Sequence, residues 1–164
     1  EALRQDALAD AAREVIDMGF AVGLHTAGPY PRRLHDMVER GLVDWVGLDI
    51  KALPEHYAQV VGRPNSAPKA WQCLQVLLEA AADGGPDFEV RTTVVPGDVT
   101  ADDAVEVARR AHETGARVYA LQQVRARGTS GTFPVVAPGW DARCERMAAE
   151  IEAMGWERFT YRPA

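Results

Sequence analysis

Cysteine is nearly absent: the sequence holds 2, Cys73 and Cys144. Two thiols make no disulfide framework, and a chain this long can bury a core without one. The scarcity fits a reducing compartment. Basic residues are in deficit, 18 Lys and Arg against 24 Asp and Glu, for a net charge of −6. They are scattered along the chain, which argues against nucleic acid as a partner. No apolar run reaches the roughly 18 residues of a bilayer span, so no membrane partner is expected. The opening EALRQDALADAAREVIDMGF lacks the layout of a signal peptide. A soluble cytoplasmic protein is the expectation. Common catalytic and metal signatures are missing too, with no CxxC, HExxH or GxSxG in the sequence. Cys73 shares helical register with Val76, Leu77 and Ala80, and Cys144 with Met147, Ala148, Ile151 and Met154. Both read as core thiols rather than ligands or nucleophiles. Length is the last shortfall, because a closed barrel of eight βα units typically needs roughly 250 residues. One domain, residues 1–164, is expected, and a start at Glu1 inside a helical pattern reads as part of something longer.

What is present is an alternation of helical and strand-like segments with no low-complexity linker. The pattern predicts helices over 2–18, 30–40, 54–61, 67–82, 101–114 and 139–154. Strands are predicted over 20–25, 43–50, 88–95, 117–123 and 157–162. Thr100 with Asp103 three residues later resembles a capping start for the fourth long helix, and Gly115 its stop. Such an alternation implies a parallel sheet with right-handed crossovers.

The connections separate the two edges of that sheet. Helix-to-strand links are short and hold glycine, as in MGF at 18–20 and TGAR at 114–117. Strand-to-helix links are longer and chemically richer: HTAGPYP at 25–31, DIKALPEHY at 49–57, VVPGDVT at 94–100 and QQVRARGTSGTFPVVAPG at 122–139. Function is therefore expected at the C-terminal edge of the strands. There His25, Asp49, Lys51, Arg91, Thr93, Gln122 and Gln123 would converge. Period two places Asp49 with Lys51, and Arg91 with Thr93, on one face of their strands.

From the residues alone these positions read two ways. Asp49 and Lys51 are a site or a plain ion pair. A guanidinium inside the β-branched run EVRTTVV needs an acceptor or a ligand. His25 fits a loop anchor as well as a ligand, and the two glutamines could bridge backbone groups. The stretch RARGTSGT, residues 125–132, has the composition of an anion nest or of a lid.

Four segments in order, GLHTAGPYPRRL, GLVDWVGLDIKA, EVRTTVVPG and YALQQVRARGT, resemble successive strand motifs of radical S-adenosylmethionine (SAM) enzymes. They are most similar to the glycyl-radical-enzyme activases, of the type that activates anaerobic ribonucleoside-triphosphate reductase. The resemblance implies an α/β fold, a partial (βα) barrel truncated to about five mostly parallel strands, and the C-terminal two thirds of such an enzyme. It implies SAM and a 4Fe-4S cluster as cofactors of the parent enzyme, and a glycyl radical enzyme such as anaerobic ribonucleotide reductase as its partner. Family members carry a CxxxCxxC cluster loop and a GGEP-like motif, and neither occurs in this sequence. The chain alone is thus expected to hold no cofactor and to be inactive. Position by position, Asp49 and Lys51 match the D-x-K motif beside SAM and the cluster. Arg91 and Thr93 match the strand that holds the carboxylate and adenosyl portions of SAM, and Gln122 and Gln123 lie where the sixth strand reaches the adenosine. His25 stands where relatives place an Asp in a DTNG-like motif, and Ala27 replaces the Asn. The edge of strand 20–25 is expected to pair with another segment or drive dimerisation.

Two other readings stay open on residues alone. One is an α/β binding domain without catalysis. The other is a lyase using Lys51 and Asp49, although a neighbouring carboxylate holds a lysine charged rather than freeing it as a base.

Overall fold

The structure, a computed structural model, describes residues 1–126 and 134–164. Much of the stretch 125–132, with its nest-like composition, lies outside the described residues. Five parallel strands form one sheet in the order of the chain: β1 Gly23–Thr26, β2 Trp45–Asp49, β3 Asp87–Val94, β4 Val118–Gln123 and β5 Arg158–Arg162. Parallel neighbours require crossovers, and right-handed crossovers in unbroken strand order put the helices on one face. The opposite, concave face is free for side chains that meet across strands, as in a barrel wall.

The residues divide between the faces by period two. Toward the helices point Leu24, Val46, Leu48, Ile50, Val90, Val94, Tyr119 and Leu121, all buried. The covering helices are α2 Pro31–Glu39, the short α3 Tyr57–Val61, α4 Ser66–Ala82, α5 Val99–Thr114 and α6 Trp140–Glu152. α4 buries Ala67, Ala70, Cys73, Leu74 and Leu77, a run at three- and four-residue spacing that makes one apolar stripe. α5 does the same with Ala101, Ala104, Val107, Ala108 and Ala111, and ends at Gly115 in the left-handed region with φ 117°.

Three local departures from the sequence pattern have clear causes. The helix expected over 2–18 is a 3₁₀ turn, Ala2–Arg4, followed by α1 Leu8–Asp17. Arg33 of α2 takes the Leu3 carbonyl at 2.9 Å and the Asp6 carboxylate at 2.6 Å, so the carbonyl a continuous helix would use is spent on tertiary contact. β1 begins at Gly23, because Val22 gives its N–H to the Asp44 carboxylate at 2.6 Å and Phe20 turns outward. The N-cap of α5 is Asp98, whose carboxylate accepts from Thr100 N at 2.8 Å. Thr100 sits inside the helix with its hydroxyl accepting from Val95 N at 3.1 Å, and Asp103 is engaged elsewhere.

Candidate functional site

Gly47 of β2 is flanked on the concave face by His25 of β1 and Arg91 of β3, since His25 pairs in register with Gly47 and Asp49 pairs with Arg91. A β-carbon there would stand 2.8 Å from His25 Nδ1 and 2.9 Å from Arg91 Cζ. The missing side chain is what lets the guanidinium lie across β2 and reach His25. Arg91 donates from Nε to Asp49 Oδ1 at 2.9 Å, and its Nη2 lies 2.7 Å from the same oxygen. Its Nη1 meets His25 Nδ1 at 2.5 Å. Because a guanidinium only donates, Nδ1 must accept, which leaves the proton of the neutral ring on Nε2. Burial, then the positive charge of Arg91, lowers the His25 pKa from its ordinary value, which favours that neutral form.

Asp49 bridges two cations. Its Oδ2 lies 3.7 Å from Lys51 Nζ, while its Oδ1 serves Arg91. Asp49 and Lys51 are about one quarter to one third exposed, with side-chain values of 27% and 33% against 11% for Arg91. The cluster therefore has a buried guanidinium at its base and an open rim. Two cations against one carboxylate leave an excess positive charge at the rim, with an acid beside it.

Deeper on the same face lies a second ion pair. Arg162 of β5 pairs with Glu89 of β3, its Nη1 and Nη2 lying 2.9 Å from Oε1 and Oε2. Glu89 is buried, and the pair crosses β4, whose positions on that face are Val118, the small Ala120 and Gln122. Glu89 stands two residues before Arg91, so the period that paired Arg91 with Thr93 also marks it. Arg162 is marked likewise by alternation in β5, whose inner positions are Arg158, Thr160 and Arg162. Both follow from the alternation within their strands, although neither lies in one of the chemically rich strand-to-helix connections.

The structure brings His25, Asp49, Lys51 and Arg91 into direct contact. Thr93 and Gln122 are register partners on the same face, one step further toward the C-terminal edge, both half-buried. Gln123 lies on the opposite face. Its Nε2 donates to Tyr161 Oη at 2.7 Å and to Asp141 of α6 at 3.2 Å, and its Oε1 accepts from Ala164 N at 3.2 Å. One residue of register decides the face, and Gln123 faces α6.

The cysteines are core thiols. Cys73 is fully buried and its thiol is pushed up to about 12, mainly by burial. Burial also raises Cys144. The described residues hold no group of three His, Cys, Asp or Glu placed to bind a metal ion.

No family model matches the chain. A protein of Methanocaldococcus jannaschii named a glycyl-radical enzyme activating enzyme is 25% identical over 121 residues, covering 74% of this chain and 50% of that protein. The chain thus spans about half the length of this curated relative. The crystal structure of a domain of pyruvate-formate lyase-activating enzyme from Bacteroides vulgatus superposes with a TM-score of 0.67 at 13% identity. It covers 97% of this chain and 92% of that one, which shows a common fold. The chain resembles the radical SAM activases of glycyl-radical enzymes. In such an activase two groups must be held, SAM and an iron-sulfur cluster, and the residues here suit them unequally. A rim with an ammonium and a carboxylate side by side above a guanidinium complements a zwitterionic amino acid, which is the methionyl end of SAM. A cluster needs thiolates, and 2 buried helical cysteines do not fit that requirement.

Proposed function

We propose that this chain is the C-terminal part of a radical SAM activase whose β2–β3 edge holds the methionyl end of SAM. The observation that carries the reading is the Lys51–Asp49–Arg91–His25 cluster on the concave face of a sheet with the activase fold. When bound together, SAM and a reduced 4Fe-4S cluster supply reductive cleavage of SAM and removal of a hydrogen atom from a glycine of a partner enzyme. The partner would be a glycyl radical enzyme, with anaerobic ribonucleotide reductase the type that the strand motifs resemble most. The cytoplasm is the compartment where such a partner and a reduced cluster coexist. No helix of the described residues is long and apolar enough to cross a membrane.

The chain's own residues bind and orient. Lys51, at the exposed rim, attracts the SAM carboxylate. Arg91, fixed by Asp49 and His25, gives that carboxylate a rigid positive floor. Asp49 offers its second oxygen to the SAM ammonium. Thr93 and Gln122, one step further along the face, are placed for the ribose and adenine. Neutral His25 keeps Arg91 in position without adding a charge. The cluster ligands would come from a segment before Glu1, and the free edge of β1 is where that segment's strands would pair.

The coding sequence upstream of Glu1 tests this reading. It predicts a CxxxCxxC loop and a GGEP-like segment within about one hundred residues, the length of two further βα units. Anaerobically purified full-length protein should then carry about four irons per chain. An upstream sequence with neither motif would overturn the proposal.

A further inference from the structure

Asp103 of α5 has no part in the strand-end cluster, yet it is buried to 4% exposure and fully engaged by the loop that follows β2. Its Oδ2 accepts from Leu53 N at 2.9 Å, and both oxygens lie 3.0 Å from His56 Nδ1. A buried carboxylate is costly unless such donors satisfy it. The loop is therefore tied to α5 at two points, Leu53 and His56.

The near end of the same loop is tied as well. Ile50 N donates to Arg91 O at 2.9 Å, and Ile50 O accepts from the Thr92 hydroxyl at 2.7 Å. The Thr92 hydroxyl in turn accepts from Tyr119 Oη at 2.6 Å. Lys51 and Ala52 thus form a two-residue span between anchored points, and Ala52 is fully buried. The backbone of Lys51 has little room to move, although its side chain reaches the open rim.

We propose that Asp103 is a positioning residue: by holding Leu53 and His56 it fixes the loop after β2 so that Lys51 stays beside Asp49 for the carboxylate of SAM. This rests on the SAM-site reading above. Asp103 acts through the backbone of the loop and touches no ligand.

A double-mutant cycle in the anaerobically purified full-length protein tests it. SAM affinity is measured by calorimetry for wild type, Asp103→Ala, Lys51→Ala and the double variant, with hydrogen exchange followed at the amides of residues 51–57. Asp103→Ala should weaken SAM binding on the order of tenfold, the scale seen when partners that orient a binding group are removed. It should also raise exchange at Leu53, while the amides of β3 and β4 keep their protection. The losses from Asp103→Ala and Lys51→Ala should be markedly less than additive, because both act on one ammonium. Asp103→Asn should restore binding, since its oxygen can accept from Leu53 and its amide can donate to the His56 ring. If Asp103→Ala does not fold, His56→Gln removes one anchor alone and should show the same loss of affinity to a smaller degree. Additive losses, or faster loop exchange with SAM affinity unchanged, would overturn the positioning role and leave the SAM site standing. Wild type that fails to bind SAM would overturn the site reading itself.

Discussion

At Gly47 the absent side chain is a structural requirement, since a β-carbon would press on His25, Trp45 and Arg91 at 2.8 to 2.9 Å. Arg91 cannot retreat freely, being held by Asp49 and His25 on two sides. Gly47→Ala should therefore cost about 1–3 kcal/mol of stability, the usual range for overpacking, and should displace the guanidinium. Denaturant unfolding measures the first effect. His25 gives a pH signature. Its folded pKa is lowered from 6.5, so at low pH the unfolded chain takes up the proton more readily. The stability associated with neutral His25 is present above pH 6.5 and is lost as pH falls through that value toward the folded pKa. His25→Gln should flatten the slope of stability against pH below that point. An unchanged slope would mean that His25 is not held neutral.

Among the elements, α5 has its start set by Asp98, and Asp98→Ala should lower stability by about 1 kcal/mol, the typical value of an N-cap. Thr100→Ala would instead remove the acceptor of Val95 N and loosen the turn after β3. Most elements were legible in the sequence because each carries one apolar stripe or one apolar face, as α4 does with Ala70, Cys73, Leu74 and Leu77 and β2 with Val46 and Leu48. The strand-end residues Asp49, Lys51 and Arg91 were legible for the same reason. What was hidden depended on contacts between distant segments. Asp103 shows a local capping pattern with Thr100, but its partner Leu53 is 50 residues away. The break between the first turn and α1 depends on Arg33, and no periodicity in residues 2–18 announces it. Glu89 and Arg162 were within reach of simple alternation, whereas Gly47 gains its meaning only from the guanidinium that crosses it.

For the whole molecule, strand order matching chain order gives a concave wall lined by charges from β2, β3 and β5, with the neutral His25 of β1 beside them. Such a wall is half of a pocket. Its ion pairs cross several strands, so they tie the sheet together as well as arm it, and loss of one should be felt at both levels. On the function proposed above, this wall grips the methionyl end of SAM in a glycyl-radical-enzyme activase. Formation of 5′-deoxyadenosine from SAM by the full-length, cluster-loaded protein under reducing conditions tests this, compared with Arg91→Ala and with Cys144→Ser as a core control. Wild type should turn over, Arg91→Ala should lose at least about tenfold in kcat/KM, the cost of removing a charged hydrogen-bonding group, and the control should stay near wild type. Absence of 5′-deoxyadenosine from the loaded wild type, or full turnover by Arg91→Ala, would contradict it.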